Sequence, residues 1–477
     1  VIARARRALG VAIGAVLALA LAAPALAHSL SGRYESPLPL AVYLAGAAAA
    51  VGLSFAFVLL RDKRAAVPPL GPSRPAPRWL RLGLRALGLL GWLWIVAQAI
   101  VGGGGDADVA TLFLWVYGWV GLAMVSAFLG PAWTWIDPFS TLHDAGARAL
   151  RAVGISGWRP AAYPSRLGSW PAAAGFAFFV WLELVLEPAG PTLGAILIGY
   201  TALTLAGMAQ YGRDRWRADG ETFSVWFVTL GRLARWVGDP GDPTRTLVRR
   251  QPFGAGFERP AWTIPLVVLV ALATGSIIYD GLSQNQPFFD LFGAPALGPE
   301  TAILAGFLAL LVLAVLAVAR LAGLPALGAG LLPIAVGYLV AHYLTYLLVD
   351  GQRIVIAISD PLQLGWDLFG TAFFEPDIAW LPPSVLWTVQ LVAVVGGHMV
   401  GAWAGHQAAL QAEPDAATDP AAFRRLRRRQ LPLAGLMVVL TVVTLWSLGQ
   451  VIVEDPTEAA GPPRGPAPIA ALAVVRT

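Results

Sequence analysis

Cysteine is absent from the 477-residue chain. Its absence excludes disulfides, Fe–S clusters, thiolate zinc sites, thioether-linked haem and cysteine nucleophiles. Charge is scarce as well. Asp, Glu, Lys and Arg make up 13% of the residues against 57% hydrophobic ones, whereas soluble domains carry roughly 25% charged residues. Most of this surface therefore cannot face water. Only four methionines are present, which argues against a thioether path for copper. Also missing are a Walker loop, a G-x-G-x-x-G turn after a strand, G-x-S-x-G and H-E-x-x-H, and with them the phosphate-loop, dinucleotide, serine-hydrolase and zincin chemistries those patterns carry.

What remains is a series of apolar runs. They cover 39–60, 83–102, 111–130, 171–187, 192–210, 262–279, 301–319, 331–349, 383–404 and 431–452, about ten segments of membrane-spanning length. Backbone polar groups in lipid must be satisfied within the segment, so helices are the form such runs take. The expected class is all-α: a polytopic helical membrane bundle forming one domain over 28–453. Residues 1–27 have the basic start (Arg4, Arg6, Arg7), apolar centre and Ala25-Leu26-Ala27 site of a signal peptide. The Pro-, Gly- and Ala-rich tail over 454–477 is expected to be disordered.

The loops alternate in charge. Arginines cluster after the first, third, fifth, seventh and ninth runs, and carboxylates such as Asp106, Asp280, Glu300, Asp350 and Asp377 fill the others. Positive-inside then places both mature ends outside, in agreement with the signal peptide, and points to a bacterial inner membrane. The net charge of +5 is a topology signal rather than a nucleic-acid footprint. The expected partners are the lipid bilayer and a small-molecule substrate, with no nucleic acid.

Several loops carry patterns of their own. From Glu221 to Val237 an apolar stripe predicts an amphipathic helix on the cytoplasmic interface. The segment 131–169 reads as another interfacial stretch with His143 solvated. The long outer segment 351–381 has the length of a lid or a functional loop.

Within the runs the ionisable groups are few: Glu183, His342, His398 and His406. His342 shares a helical face with Thr345 and Tyr346. It is either a neutral residue hydrogen-bonded across to another helix or a ligand, proton relay or substrate contact. Glu183 lies about one turn, and His342 roughly 10 Å, below the outer ends of their helices. At that common depth they are expected to form a pair: proton-coupled, metal-binding, general-base or simply structural. Asp280 and Asp350 stand in the outer loops above them. His398 and His406 lie about 12 Å apart along one axis, too far to share a metal on a straight helix. Gly397, Gly401 and Gly405 beside them form a small-xxx-small seam. That seam places His398 at a tight helix crossing and His406 near the cytoplasmic headgroups.

Cleavage after Ala27 would leave His28 at the mature terminus. There its α-amine and imidazole can chelate one metal, and nitrogen ligands suit Cu(II). This arrangement is similar to the amino-terminal histidine of periplasmic copper-binding proteins and copper monooxygenases. The alternative is a histidine left there by processing, with no role.

The blocks HSLSGRYESPLPL, SWPAAAGFAFFVWLELV, AQYGRDRWRADGETFSVWF, IIYDGLSQNQPFFDLFG, VGYLVAHYLTYLLVDGQ and SDPLQLGWDLFGTA occur in this order. Together they resemble a bacterial family of polytopic membrane proteins labelled fenitrothion hydrolase. The resemblance spans nearly the whole mature chain and implies hydrolysis of an organophosphate P–O aryl bond. Such chemistry usually runs on a cluster of His and Asp ligands around two metals. The outer-half residues available for it are Glu183, His342, Asp280 and Asp350 as catalytic candidates, with His28 and His342 as ligands for a divalent metal. Two other functions stay open: a transporter or permease with Glu183 and His342 as coupling groups, and copper handling through His28.

Overall fold

The computed structural model describes residues 39–60, 69–102, 108–155, 159–238, 247–257 and 261–450. The expected leader over 1–27, His28 and the tail over 454–477 lie outside the described residues. Among the described residues nine helices are long and apolar enough to cross a bilayer. They are α1 (Leu40–Leu59), α2 (Arg78–Val101), α3 (Val109–Phe128), α5 (Gly190–Tyr211), α6 (Ile264–Ser283), α7 (Leu297–Ala322), α8 (Leu324–Val349), α9 (Pro383–Ala412) and α10 (Pro420–Leu448). A further apolar helix, α4 (Trp170–Leu186), is shorter. Its end is set locally: Leu182–Leu186 winds as a π-helix, Glu187 takes a left-handed φ of 45°, and Pro188 follows. Proline cannot continue a helix. The chain is an all-α polytopic bundle.

Burial sorts the helices. Both α6 and α8 are apolar all round and packed inside the protein, as a helix without a polar face must be. By contrast α2 and α7 sit at the periphery and expose rows such as Leu87 with Leu90 and Leu310 with Leu313, the surface expected to meet lipid. The most extensive helix contact joins α8 to α9, and it is the glycine seam. A Cβ on Gly401 would stand 2.4 Å from the Gly330 carbonyl oxygen, and one on Gly405 2.7 Å from that of Ala326. At Gly337 the same addition would meet the Ala393 oxygen at 2.4 Å. Only hydrogen in place of a side chain lets these backbones approach so closely.

His398 sits at this crossing, fully buried, with Nδ1 2.8 Å from the Val394 oxygen. His406 departs from expectation. Its ring is fully buried against protein rather than exposed at an interface, with Nδ1 3.0 Å from Gln430 Oε1 of α10. The apolar stripe after Glu221 is also corrected. Its helix is only Thr222–Leu230, and Trp226 and Phe227 are buried against protein, Trp226 facing Trp119 and Phe176. The chain then turns into strand β2 (Trp236–Gly238), which pairs antiparallel with β3 (Leu247–Arg250); β3 in turn pairs with β1 (Arg74–Pro75). An amphipathic period marks which face is apolar, not whether lipid or protein covers it. His143 is half-buried, its ring 3.7 Å from Asp144, rather than solvated.

The two ends of the bundle differ in charge. One carries Arg148, Arg151, Arg213, Arg217, Arg320 and Arg424 to Arg429; the other carries Glu187, Asp280, Glu300, Asp350 and Asp360.

Candidate functional site

His342 is the buried ionisable residue of α8 nearest the acidic end, and its partner comes from α6. The sequence pattern ends that span at 279, but no proline intervenes and α6 runs on to Ser283. Asp280 therefore lies in its last turn rather than in a loop. From there its Oδ2 is 2.9 Å from His342 Nε2, and its Oδ1 accepts a hydrogen bond from Gln284 Nε2 at 2.6 Å. Gly281 makes the approach possible. A Cβ there would stand 2.8 Å from both Ser447 Oγ and Tyr338 Oη and 3.4 Å from His342 Cε1.

Glu183 is not the direct partner of His342. It is reached through the next residue along α8: the Tyr343 hydroxyl donates to Glu183 Oε1 at 3.4 Å, and the Tyr343 ring stands edge-on to the imidazole with centroids 4.7 Å apart. The same phenol is also close to Asp280. The second carboxylate oxygen of Glu183 is buried without a hydrogen-bond partner among the described residues. The order is thus Glu183, Tyr343, Asp280, His342. Both neighbouring helices are irregular here. Glu183 lies on the π-helical turn of α4, and α3 is π-helical over Leu112–Gly121, which carries Trp115 and Trp119. Such wide turns recur at functional sites because they shift side chains out of helical register.

These residues line one cleft of about 1080 Å³ that opens at the acidic end. Glu187, Glu300 and Asp350 line its upper part, Thr345 and Tyr346 its α8 wall, and no lysine or arginine contributes to it. Asp350 is a rim residue held by Arg353, whose Nε is 3.1 Å from its Oδ1. Behind His342 lies a polar void of about 10 Å³ between Asn285, Ser447 and Gln450, roughly the space one water occupies. His342 Nδ1 has no protein partner among the described residues.

All four expected catalytic candidates, Glu183, His342, Asp280 and Asp350, therefore face one cavity, but in different roles. Asp280 and His342 make direct contact, Glu183 joins through Tyr343, and Asp350 guards the entrance. Tyr343 was not singled out from the sequence, because the stripe through Thr345 and Tyr346 lies on a neighbouring part of the helix surface. Its position beside His342 was the available signal.

The divalent metal implied by the phosphotriesterase-like chemistry does not fit this donor set. Asp280 and His342 supply two donors, and among the described residues no group of three His, Asp or Glu side chains comes together as a metal site. A catalytic divalent centre normally has three protein ligands. His28 lies outside the described residues. No protein-family model, curated protein or solved structure matches the chain.

Proposed function

We propose that the chain is a proton-coupled transporter of small cationic solutes. In this reading the acidic end faces outward from a bacterial inner membrane, and Glu183, Tyr343, Asp280 and His342 form the coupling cluster. The observation that carries it is an open cleft lined by five carboxylates and no lysine or arginine, with a hydrogen-bonded histidine–aspartate pair at its floor. Ionisable groups at membrane depth are costly and persist where an ion or proton uses them. A wall of carboxylates raises the local concentration of cations and repels anions. A cation entering beside Asp280 competes with His342 for that carboxylate. That competition is a physical basis for exchange.

A second reading, the hydrolase that the resemblance implies, is favoured by the 2.9 Å contact between Asp280 and His342. An aspartate that orients a histidine is the relation a general base requires. Against it stands the charge of the cleft. Attack on a phosphotriester builds negative charge on oxygen, which calls for cations or hydrogen-bond donors.

Both readings are tested on the purified full-length protein. In proteoliposomes loaded with a pH dye, a panel of small organic cations is expected to drive proton movement that Asp280→Asn and His342→Gln abolish. The transport reading fails if no cation moves protons while the same preparation releases nitrophenol from fenitrothion over many turnovers.

A further inference from the structure

At the basic end, far from the cleft, the turn after Thr222–Leu230 carries Arg232. This arginine is only 4% exposed. Its guanidinium carbon stacks 3.9 Å from the centroid of the Trp262 ring, yet Nε and Nη1 have no hydrogen-bond partner among the described residues. Neighbouring Arg217, 7% exposed, has its charge paired, although its Nε makes no hydrogen bond of good geometry. Its Nε lies 3.0 Å from Asp137 Oδ2, and its Nη2 donates to the Thr134 oxygen at 3.2 Å.

Burial pushes the Arg232 guanidinium down to about 10, with no neighbouring charge to offset it. The group remains protonated at neutral pH. An uncompensated buried cation is among the costliest features a fold can carry. What Arg232 lacks is an anion, and there is room for one. Arg232 lines a pocket of about 290 Å³ with Arg166, Arg217 and Ser224, and the Ser224 hydroxyl is a second buried polar atom there without a partner. The one carboxylate in the lining, Asp219, is held by Arg215 at 2.9 Å.

We propose that this pocket is an anion site for a phosphate group, with Arg232 as its buried anchor, Ser224 as a hydroxyl donor and Arg166 at its mouth. Unpartnered guanidinium N–H groups donate charge-assisted hydrogen bonds, and phosphate oxygens are strong acceptors for them. Trp170, exposed beside the pocket at the start of α4, is the kind of residue that marks a headgroup layer. The phosphate therefore belongs either to an anionic phospholipid or to a free phosphate of the same chemistry. This inference does not rest on the transport reading.

The test uses full-length protein in detergent, stripped of lipid, with thermal unfolding followed against phosphatidylglycerol, phosphatidylcholine and inorganic phosphate at constant ionic strength. Wild type is expected to gain stability from phosphatidylglycerol, from phosphate, or from both. The half-saturating concentration should rise by about 30-fold or more in Arg232→Met, as expected when a buried charge partner is removed. A smaller rise is expected in Arg166→Gln. Without anion, Arg232→Met should be at least as stable as wild type, because it removes a buried charge. A response to phosphatidylglycerol alone assigns the site to a lipid headgroup, and a response to inorganic phosphate assigns it to a free anion. If Arg232→Met does not fold, Arg166→Gln and Ser224→Ala carry the comparison. Equal stabilisation by phosphatidylcholine, no stabilisation by any anion, or a response unchanged in the variants overturns the proposal.

Discussion

The imidazole Nε2 of His342 lies 2.9 Å from Asp280 Oδ2, and this contact ties the C-terminal third of the buried helix α8 to the last turn of α6. It connects two elements whose charged residues are separated by a long stretch of sequence, and it gives the floor of the acidic cleft its titratable group. The proposed coupling can be taken apart at this contact.

Asp280→Asn and His342→Gln should each abolish solute-driven proton movement in proteoliposomes, and the double variant should behave no worse than either alone. Residues acting as one unit show interaction energies of about 0.5–3 kcal/mol in a double-mutant cycle. Additive losses would mean that the two groups work separately. Glu183→Gln should weaken coupling without removing it, since Glu183 reaches the pair only through Tyr343.

Gly281→Ala should uncouple the site by steric means. The added methyl would stand 2.8 Å from Ser447 Oγ and Tyr338 Oη, so these side chains must shift or α6 must move away from α8 and α10. Overpacking of this kind costs about 1–3 kcal/mol. A lower unfolding temperature in detergent, together with lost coupling, is the expected result; an unchanged protein would show that the approach of α6 is not tight.

Two glycines of α9 should respond with opposite signs. Gly401→Ala places a methyl 2.4 Å from the Gly330 carbonyl oxygen, whereas nothing lies within 4 Å of a Cβ at Gly396. The first change should destabilise by about 1–3 kcal/mol. The second should stabilise by about 0.5–1 kcal/mol, the helix gain of alanine over glycine. Differential scanning of the two purified variants decides the matter, and equal effects would remove the seam as the reason for the α8–α9 contact.

Glu221 gives a pH signature. Burial, followed by the nearby charge of Asp137, raises its carboxyl above the usual glutamate range, although the backbone N–H groups of Phe223 and Ser224 both donate to it. A raised folded-state value contributes stability that is complete below the unfolded value and is lost as pH climbs through the folded one. Relative to Glu221→Gln, which does not titrate, the wild type should therefore lose unfolding temperature as pH rises from the ordinary glutamate range upward. An unfolding temperature of the wild type that rises relative to Glu221→Gln as pH increases would reverse the assignment.

The absence of cysteine makes orientation simple to measure. A single Glu300→Cys at the cleft should react with a membrane-impermeant thiol reagent on intact cells, and a single Arg424→Cys should not. Labelling of Arg424→Cys alone would invert the proposed topology.

Composition and the spacing of apolar runs were enough to establish a helical membrane bundle, because the bilayer imposes its thickness on every span. Loop charge set out the alternation of basic and acidic ends, and the four-residue repeat of Gly397, Gly401 and Gly405 announced a close helix crossing on α9, without its partner. These are one-dimensional signals. They report depth along a helix and the presence of a close contact. The partner of His342 was a different kind of question. By the sequence pattern Glu183 lies at suitable depth and Asp280 in a loop above it; that α6 runs on to carry Asp280, and how α4 and α6 are rotated against α8, follow from packing over many side chains. The same limit hid Arg232. An amphipathic stripe after Glu221 looks alike whether it meets headgroups or protein, and only the tertiary fold laid it against Trp119 and Phe176 and buried the arginine that follows.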